Sequence, residues 1–390
     1  MNRSIGRSST FNLNAGLEES YGSYLFDKKS KKHYLDFFGM YASLPLGYNH
    51  EIFSQELFMR EVMLHAKTKV TNCEFITDET LEFDKKFQDF AGSSEYTNYH
   101  YSCTGALAIE SAIKTAIIYK GHSVPKIVTF DGSFHGINSY GGFITSRFEP
   151  VIDRLDGLPE IFSAKIKPTI EEVKKSLDSN TTCVLVEPIM CSSGDNYMDI
   201  DFLKELRIIT EEMDIPLIFD EIQIGFCSSG DIWYSNKIEV MPDILVFGKK
   251  VQLSGIMVKE KFSKLFERPI MLEVTWDGNP IDMIRGKYII DACIKYDLLK
   301  NVNKQSEYFR KLLGNKAADL NFRNSGFIMA MDFSDTNQRN KVVNFLYKNQ
   351  FLVNSTGKNT IRLRPPLTAS ADDIEKSIEI FRKCFKELDL

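Results

Sequence analysis

The sequence lacks several features that would have fixed its class at once. No apolar run among its 390 residues approaches the length of a membrane span. The opening MNRSIGRSSTFNLNAG is polar, without the apolar core or cleavage pattern of a secretory leader. Basic residues are not in excess: 48 Lys and Arg stand against 53 Asp and Glu, a net charge of −5. They are scattered apart from Lys28-Lys29-Ser30-Lys31-Lys32, so no nucleic-acid surface is expected. No Cys-x-x-Cys occurs, and the seven cysteines are odd in number and far apart. That argues against a zinc site and a disulfide framework, and for reduced thiols in a cytoplasmic protein. Internal repeats, low-complexity tracts and long linkers are missing too.

What remains is a chain of ordinary globular composition, 43% hydrophobic and 26% charged, long enough for a sizeable core. From about residue 97 to 260 short apolar strands alternate with amphipathic helices: "NYHYSC", "GALAIESAIK", "KIVTFDG", "CVLVEP", "DFLKELRIITEEM", "PLIFDE", "DILVFG" and "GIMV". Strands apolar throughout and separated by helices imply a mostly parallel sheet covered on both faces. Such sheets bind ligands beyond the carboxyl ends of their strands. The polar residues gather there: Glu187 after "CVLV", Asp220 after "LIF", and Lys249-Lys250 after "LVFG". The last hundred residues mix strands, helices and hairpin-like turns, as a smaller α+β unit would, and the opening segment is expected to pack with it.

Those strand-end residues have complementary chemistry. A lysine amine forms a Schiff base with an aldehyde. A buried carboxylate keeps a pyridine nitrogen protonated, so that the ring stays an electron sink. The free N–H groups at the start of a helix beginning with Gly105 suit a phosphate. Phe134, in "SFHG", suits the face of a flat ring. Taken singly, each has an ordinary structural use as a turn former, a helix start or core packing. Together and in this order they point to pyridoxal 5'-phosphate, with either Lys249 or Lys250 as the anchor.

The segment "FDEIQIGFCSSG" resembles the D-E-x-Q-x-G-F-x-x-x-G stretch of class III aminotransferases, pyridoxal-phosphate enzymes of fold type I. Also similar are "YLDFFGMYASLPLGYNH", "GALAIESAIK", "FDGSFHG", "VEPI", "PDILVFGKK", "TWDGNPIDMIRG" and "IRLRPPLT", in the family's order over roughly residues 20 to 385. In pattern the chain is closest to the L-lysine 6-aminotransferases. The resemblance implies an α/β fold: a large domain with a mostly parallel seven-stranded sheet, and a smaller α+β domain built from both termini. On that basis residues 1–55 are the N-terminal part of the small domain, 56–285 the large cofactor-binding domain, and 286–390 the rest of the small domain.

Carried across position by position, the resemblance makes Lys249 the Schiff-base lysine. It gives the pyridinium nitrogen to Asp220, the ring's phenolic oxygen to Gln223, and the ring face to Phe134 with His135 beside it. Gly105 and Ala106 are implied for the phosphate, Glu187 for a positional role near the cofactor, and Thr275 for the phosphate of the neighbouring subunit in a homodimer. Arg362 matches the arginine that grips a substrate's α-carboxylate, with Arg364 as a second cation. The implied reaction is a ping-pong transfer of an amino group, with glutamate and 2-oxoglutarate as one pair.

Two departures bear on the other substrate. The glutamate that usually covers that arginine is Ser192 here, in Glu187-Pro-Ile-Met-Cys-Ser-Ser-Gly194. The arginine that lysine 6-aminotransferases carry after "FHG" is Ile137. With Met40, Tyr41 and Met190, these changes suggest an apolar or uncharged amine, or its aldehyde, rather than L-lysine. The same machinery also fits an aminomutase, racemase or decarboxylase, and a non-catalytic dimeric binding protein is a further alternative. No metal site and no membrane contact are expected.

Overall fold

Thr181–Val186, Leu217–Asp220 and Ile244–Phe247 are buried at every position. Strands of that kind have no face for water and must lie inside a sheet covered on both sides. In the computed structural model, which describes residues 11–146 and 162–390, they do. The sheet has seven strands, β1 (Tyr96–Ser102), β2 (Lys126–Phe130), β3 (Phe162–Ile166), β4 (Thr181–Val186), β5 (Leu217–Asp220), β6 (Ile244–Phe247) and β7 (Ser254–Lys259), in the order β1-β7-β6-β5-β4-β2-β3. Only β7 runs against the rest, pairing antiparallel with both β6 and β1. The expected mostly parallel seven-stranded α/β sheet is therefore present.

The register puts the chemistry on one edge. Asp220 lies opposite Val246, and Phe247 opposite Gly255. The turns that follow β5 and β6 therefore emerge side by side, next to the one that follows β1. The helix Gly105–Lys120 starts in that last turn, with Thr104 Oγ1 accepting from Leu107 N at 3.4 Å. It buries Ala108, Ile109, Ala112, Ile113 and Ala116 against the sheet and stops at Gly121, in the left-handed region at φ +67°.

Two smaller sheets flank this one. Ala15–Tyr21, Tyr24–Asp27 and Lys32–Asp36 form a meander whose last strand pairs in parallel with Phe351–Leu352. The opening and closing parts of the chain thus share a sheet. Arg323–Ser325, Ile328–Asp332, Asn354–Thr356 and Thr360–Leu363 make the other. The last of these strands carries Arg362 and leads into Arg364.

Positive φ runs through four consecutive residues in one short segment. Gly39, Met40, Tyr41 and Ala42 have φ of 56, 52, 57 and 74°, a complete turn of the left-handed kind. For L-residues this costs roughly 1–2 kcal/mol each. A side chain at position 39 would collide with the Arg364 carbonyl, which explains the glycine. Asp36 Oδ1 compensates in part by accepting from Phe38 N at 2.9 Å and Gly39 N at 2.8 Å.

Candidate active site

Asp220 ends β5 with its carboxylate almost fully buried. One oxygen accepts from Ile222 N at 3.1 Å and the other from His135 Nδ1 at 3.0 Å. Since a carboxylate only accepts, His135 carries a proton on Nδ1, and its Nε2 lies 3.1 Å from the Thr129 hydroxyl. Thr129 is on β2, so three segments fix one carboxylate. Glu187, just beyond β4, accepts from Phe134 N at 2.8 Å and so sets where the Phe134 ring stands. Burial, and then the nearby Asp220 charge, push the Glu187 carboxyl well above the usual carboxylate range.

Lys249 and Lys250 part company here. Lys249 shares a cavity of about 570 Å³ with Phe134, His135, Glu187, Asp220 and Gln223. Its own φ is +49°, a strained value for a residue with a side chain, and strain of this kind gathers at functional positions. Lys250 is fully buried elsewhere, its Nζ donating to Leu44 O at 2.8 Å and Pro365 O at 3.0 Å. Only Lys249 is open to a ligand in the cavity.

Other residues singled out from the sequence fall into two groups. Met40, Gly105, Ala106 and Ile137 line the same cavity, whereas Tyr41, Ser192, Thr275 and Arg362 do not line it within this chain. Arg362 is buried, with Nη1 on Cys191 O at 2.8 Å, yet its charge reaches Lys249. Arg364 is neutralised by the buried Asp195 at 2.7 Å and also touches Gln223 Oε1 at 3.4 Å. That contact occupies the Gln223 oxygen and leaves its NH2 as the free end. Sequence reasoning missed Ile222, Gln252, Ser254 and Arg285 on the cavity wall. Among the described residues Arg285 has no ion-pair partner, so it offers a second place for an anion. Its spacing within an amphipathic helix gave no sign of this.

The donor set suits pyridoxal phosphate. An amine, a buried carboxylate held from behind, an aromatic face and a helix start meet around one space. The Gly105 and Ala106 amides precede the first backbone bond of their helix, from Ala108 N to Thr104 O, so they are left for an anion. Burial, and then the Arg362 charge, lower the Lys249 ammonium from 10.5 to about 8. Only the neutral amine attacks an aldehyde. The rate at which cofactor-free protein captures added pyridoxal phosphate is therefore expected to rise up to about pH 8 and then level off. Stopped-flow absorbance checks this. A rate still climbing towards 10.5 would mean that the amine is not desolvated.

Comparison with known proteins agrees with this geometry. The chain matches the family described as "Aminotransferase class-III" over residues 6–385. It is 30% identical to the L-lysine-epsilon aminotransferase of Mycobacterium tuberculosis over 94% of this chain and 90% of that one. It is 26% identical to the acetylornithine aminotransferase of Clostridium acetobutylicum, over 96% and 97%. Among solved structures, a lysine aminotransferase from M. tuberculosis in the internal aldimine form superposes with a TM-score of 0.91 at 26% identity, over 97% and 96% of the two chains. By sequence match, fold and assembled site, this chain belongs to the class III aminotransferases, which use pyridoxal phosphate.

Proposed function

We propose that this aminotransferase exchanges an amino group between glutamate/2-oxoglutarate and an amine of uncharged body, or its aldehyde, and that L-lysine is not its natural substrate. The observation that carries the reading is the single cavity in which Lys249 faces Asp220, Gln223 and Phe134. Pyridoxal phosphate supplies an aldehyde that captures amines and a ring that draws electrons from the bond being broken. The chain does the rest. Lys249 Nζ would hold the cofactor and, as a neutral amine, would be the base and acid that moves the Cα proton of the donor. Asp220 would keep the proton on the ring nitrogen, and the Gln223 NH2 would serve the phenolic oxygen. Phe134 would cover the ring, while the Gly105 and Ala106 amides would hold the phosphate.

Arg362 is the proposed partner of the glutamate α-carboxylate. Ser192 stands where a covering glutamate would, and that departure in the sequence favours the assignment. Arg362→Met is expected to raise the KM for glutamate about 10- to 100-fold, the value of a charge-assisted hydrogen bond. The KM for the amine partner is expected to stay within about threefold, because Met40 and Ile137 rather than a cation meet its body. Equal losses for both substrates would remove Arg362 from the role.

A homodimer and a cytoplasmic setting belong to the same proposal. Val274, Thr275 and Trp276 are exposed, as are Met63, Leu64, Phe75 and Ile76. Asn72 bonds to the Gly278 carbonyl, and Lys69 Nζ sits 4.0 Å from the Trp276 ring centre, so the 69–72 and 276–278 segments lie side by side near these exposed residues. A second copy covering them would bring its Thr275 towards the first copy's phosphate site. All seven cysteines are free thiols, which supports a reducing compartment.

The deciding experiment is an absorbance scan of the purified protein with cofactor, before and after L-glutamate. The visible band is expected to fade while 2-oxoglutarate appears. A band that glutamate leaves unchanged, with no oxo acid formed, would reject glutamate transamination.

A further inference from the structure

The second lysine remains to be explained. Among the described residues Lys250 has no ion pair and feels the Asp36 carboxylate only at longer range, and a buried ammonium of that kind is expensive unless its donors are satisfied. Lys250 meets that condition with two backbone carbonyls that are distant in sequence, Leu44 O at 2.8 Å and Pro365 O at 3.0 Å. Each belongs to a segment that shapes the site. Leu44 closes the left-handed turn that carries Met40, and its N–H donates to Gly39 O at 3.0 Å. Pro365 follows the strand of Arg362, and Arg364 N donates to Phe37 O at 2.6 Å, just ahead of that turn. Gln252, on the far side of the Lys249 turn, adds a third tie by donating from Nε2 to Ser43 O at 3.1 Å. The lysine turn, the Met40 wall and the arginine strand thus converge on one side chain.

We infer that Lys250 is a positioning residue for transamination. Its Nζ holds the left-handed turn 39–42 and the strand of Arg362 in register with Lys249, so that the side chain beside the covalent one sets the width of the substrate site. This rests on the reading of the Lys249 cavity as the active site. The ammonium charge is not essential to it. Burial, and then the Arg364 charge, lower Lys250 to about 7, but a neutral amine still carries two N–H groups for two carbonyls.

The strained turn makes the idea testable. Four left-handed residues persist only while their surroundings hold them. Lys250→Met keeps the buried stem and removes both donors. The expected result has three parts. The visible absorbance of cofactor on Lys249 is retained. The apparent Kd for L-glutamate, from single-turnover absorbance, rises about tenfold while the limiting rate changes less than about threefold. Amide hydrogen exchange of peptides covering 38–46 quickens in cofactor-free protein.

Unchanged glutamate affinity and unchanged exchange would overturn the inference. So would a loss of affinity matched by an equal loss of Lys249 capture, since that is general damage. If Lys250→Met does not fold, Gln252→Met carries the test: it removes one tie and is expected to raise the same Kd about threefold. An unchanged Kd in that variant would overturn the inference as well. If wild-type protein does not react with glutamate, the substrate reading has failed, and the exchange of 38–46 still decides the role of Lys250.

Discussion

Lys249→Ala is expected to yield a folded protein that binds pyridoxal phosphate without covalent attachment, lacks the lysine-linked visible band, and transaminates glutamate about 10⁴-fold or more slowly. The size follows from two roles lost together: covalent capture of the aldehyde, and the shuttling of the Cα proton. Folding is expected to survive, because the Lys249 amine is desolvated and shares a cavity rather than a hydrogen-bonded core. Removing a buried cation from a site that also feels Arg362 and Arg364 lowers local repulsion if anything. Thermal unfolding of cofactor-free protein checks that part, and absorbance with added cofactor checks the rest. A variant that keeps the band would move the anchor elsewhere. Lys250→Met, which is expected to keep it, makes the pair of lysines an internal control.

How the two lysines divide could be read only partly from sequence. The strand "ILVF" ending on Gly248-Lys249-Lys250 is visible because four apolar residues in a row need a buried strand, and charge at its end then stands out. Asp220 and Glu187 were legible for the same reason. What fixes Lys250 was not, since its partners lie 206 and 115 residues away. The left-handed turn at 39–42 was equally hidden: Met, Tyr and Ala do not signal positive φ, and only Gly39 hints at it. Arg285 sits in a helix whose pattern reads as packing, and only the fold turns it towards the cavity.

The pair of Arg364 and Asp195 changes how the Ser192 departure is understood. From sequence, "IRLR" offers Arg362 as the match to the carboxylate-gripping arginine and Arg364 as a second cation beside it. In the folded chain Asp195, three residues past Ser192, is committed to Arg364, and both are buried. The same loop is pinned by Thr356 Oγ1 on Cys191 O at 2.7 Å and by Arg323 Nε on Asp195 O at 3.0 Å. A loop held at both ends and carrying its one carboxylate on Arg364 cannot swing an anion over Arg362. Arg364 is paired with Asp195 and touches Gln223; Arg362 is held on Cys191 O and is the proposed partner of a substrate carboxylate. The two cations differ through their neighbours, not through their residue type.

Asp220→Asn is the complementary experiment to Lys249→Ala, because it is expected to spare capture and impair chemistry. Asparagine is isosteric: its oxygen can keep Ile222 N, and its NH2 then meets His135 Nδ1, which accepts once the ring carries its proton on Nε2, towards the Thr129 hydroxyl. What it loses is the negative charge proposed to keep a proton on the ring nitrogen. Preorganised charge of that kind, in a water-poor site, is typically worth about 10²- to 10³-fold in rate. The single-turnover rate with glutamate is expected to fall by that factor while the Kd for glutamate changes by less than about threefold, since the substrate does not meet Asp220 in its ground state. Glu187 supplies a second signature. Its carboxyl is held high partly by the Asp220 charge, so Asp220→Asn lets it ionise at lower pH. The acid limb of the residual rate is expected to move down with it. If rate and pH profile are both unchanged, Asp220 does not face the ring nitrogen. If glutamate affinity collapses instead of the rate, the carboxylate orders the pocket rather than the electrons, and the His135–Asp220 pair would have to be read as scaffolding.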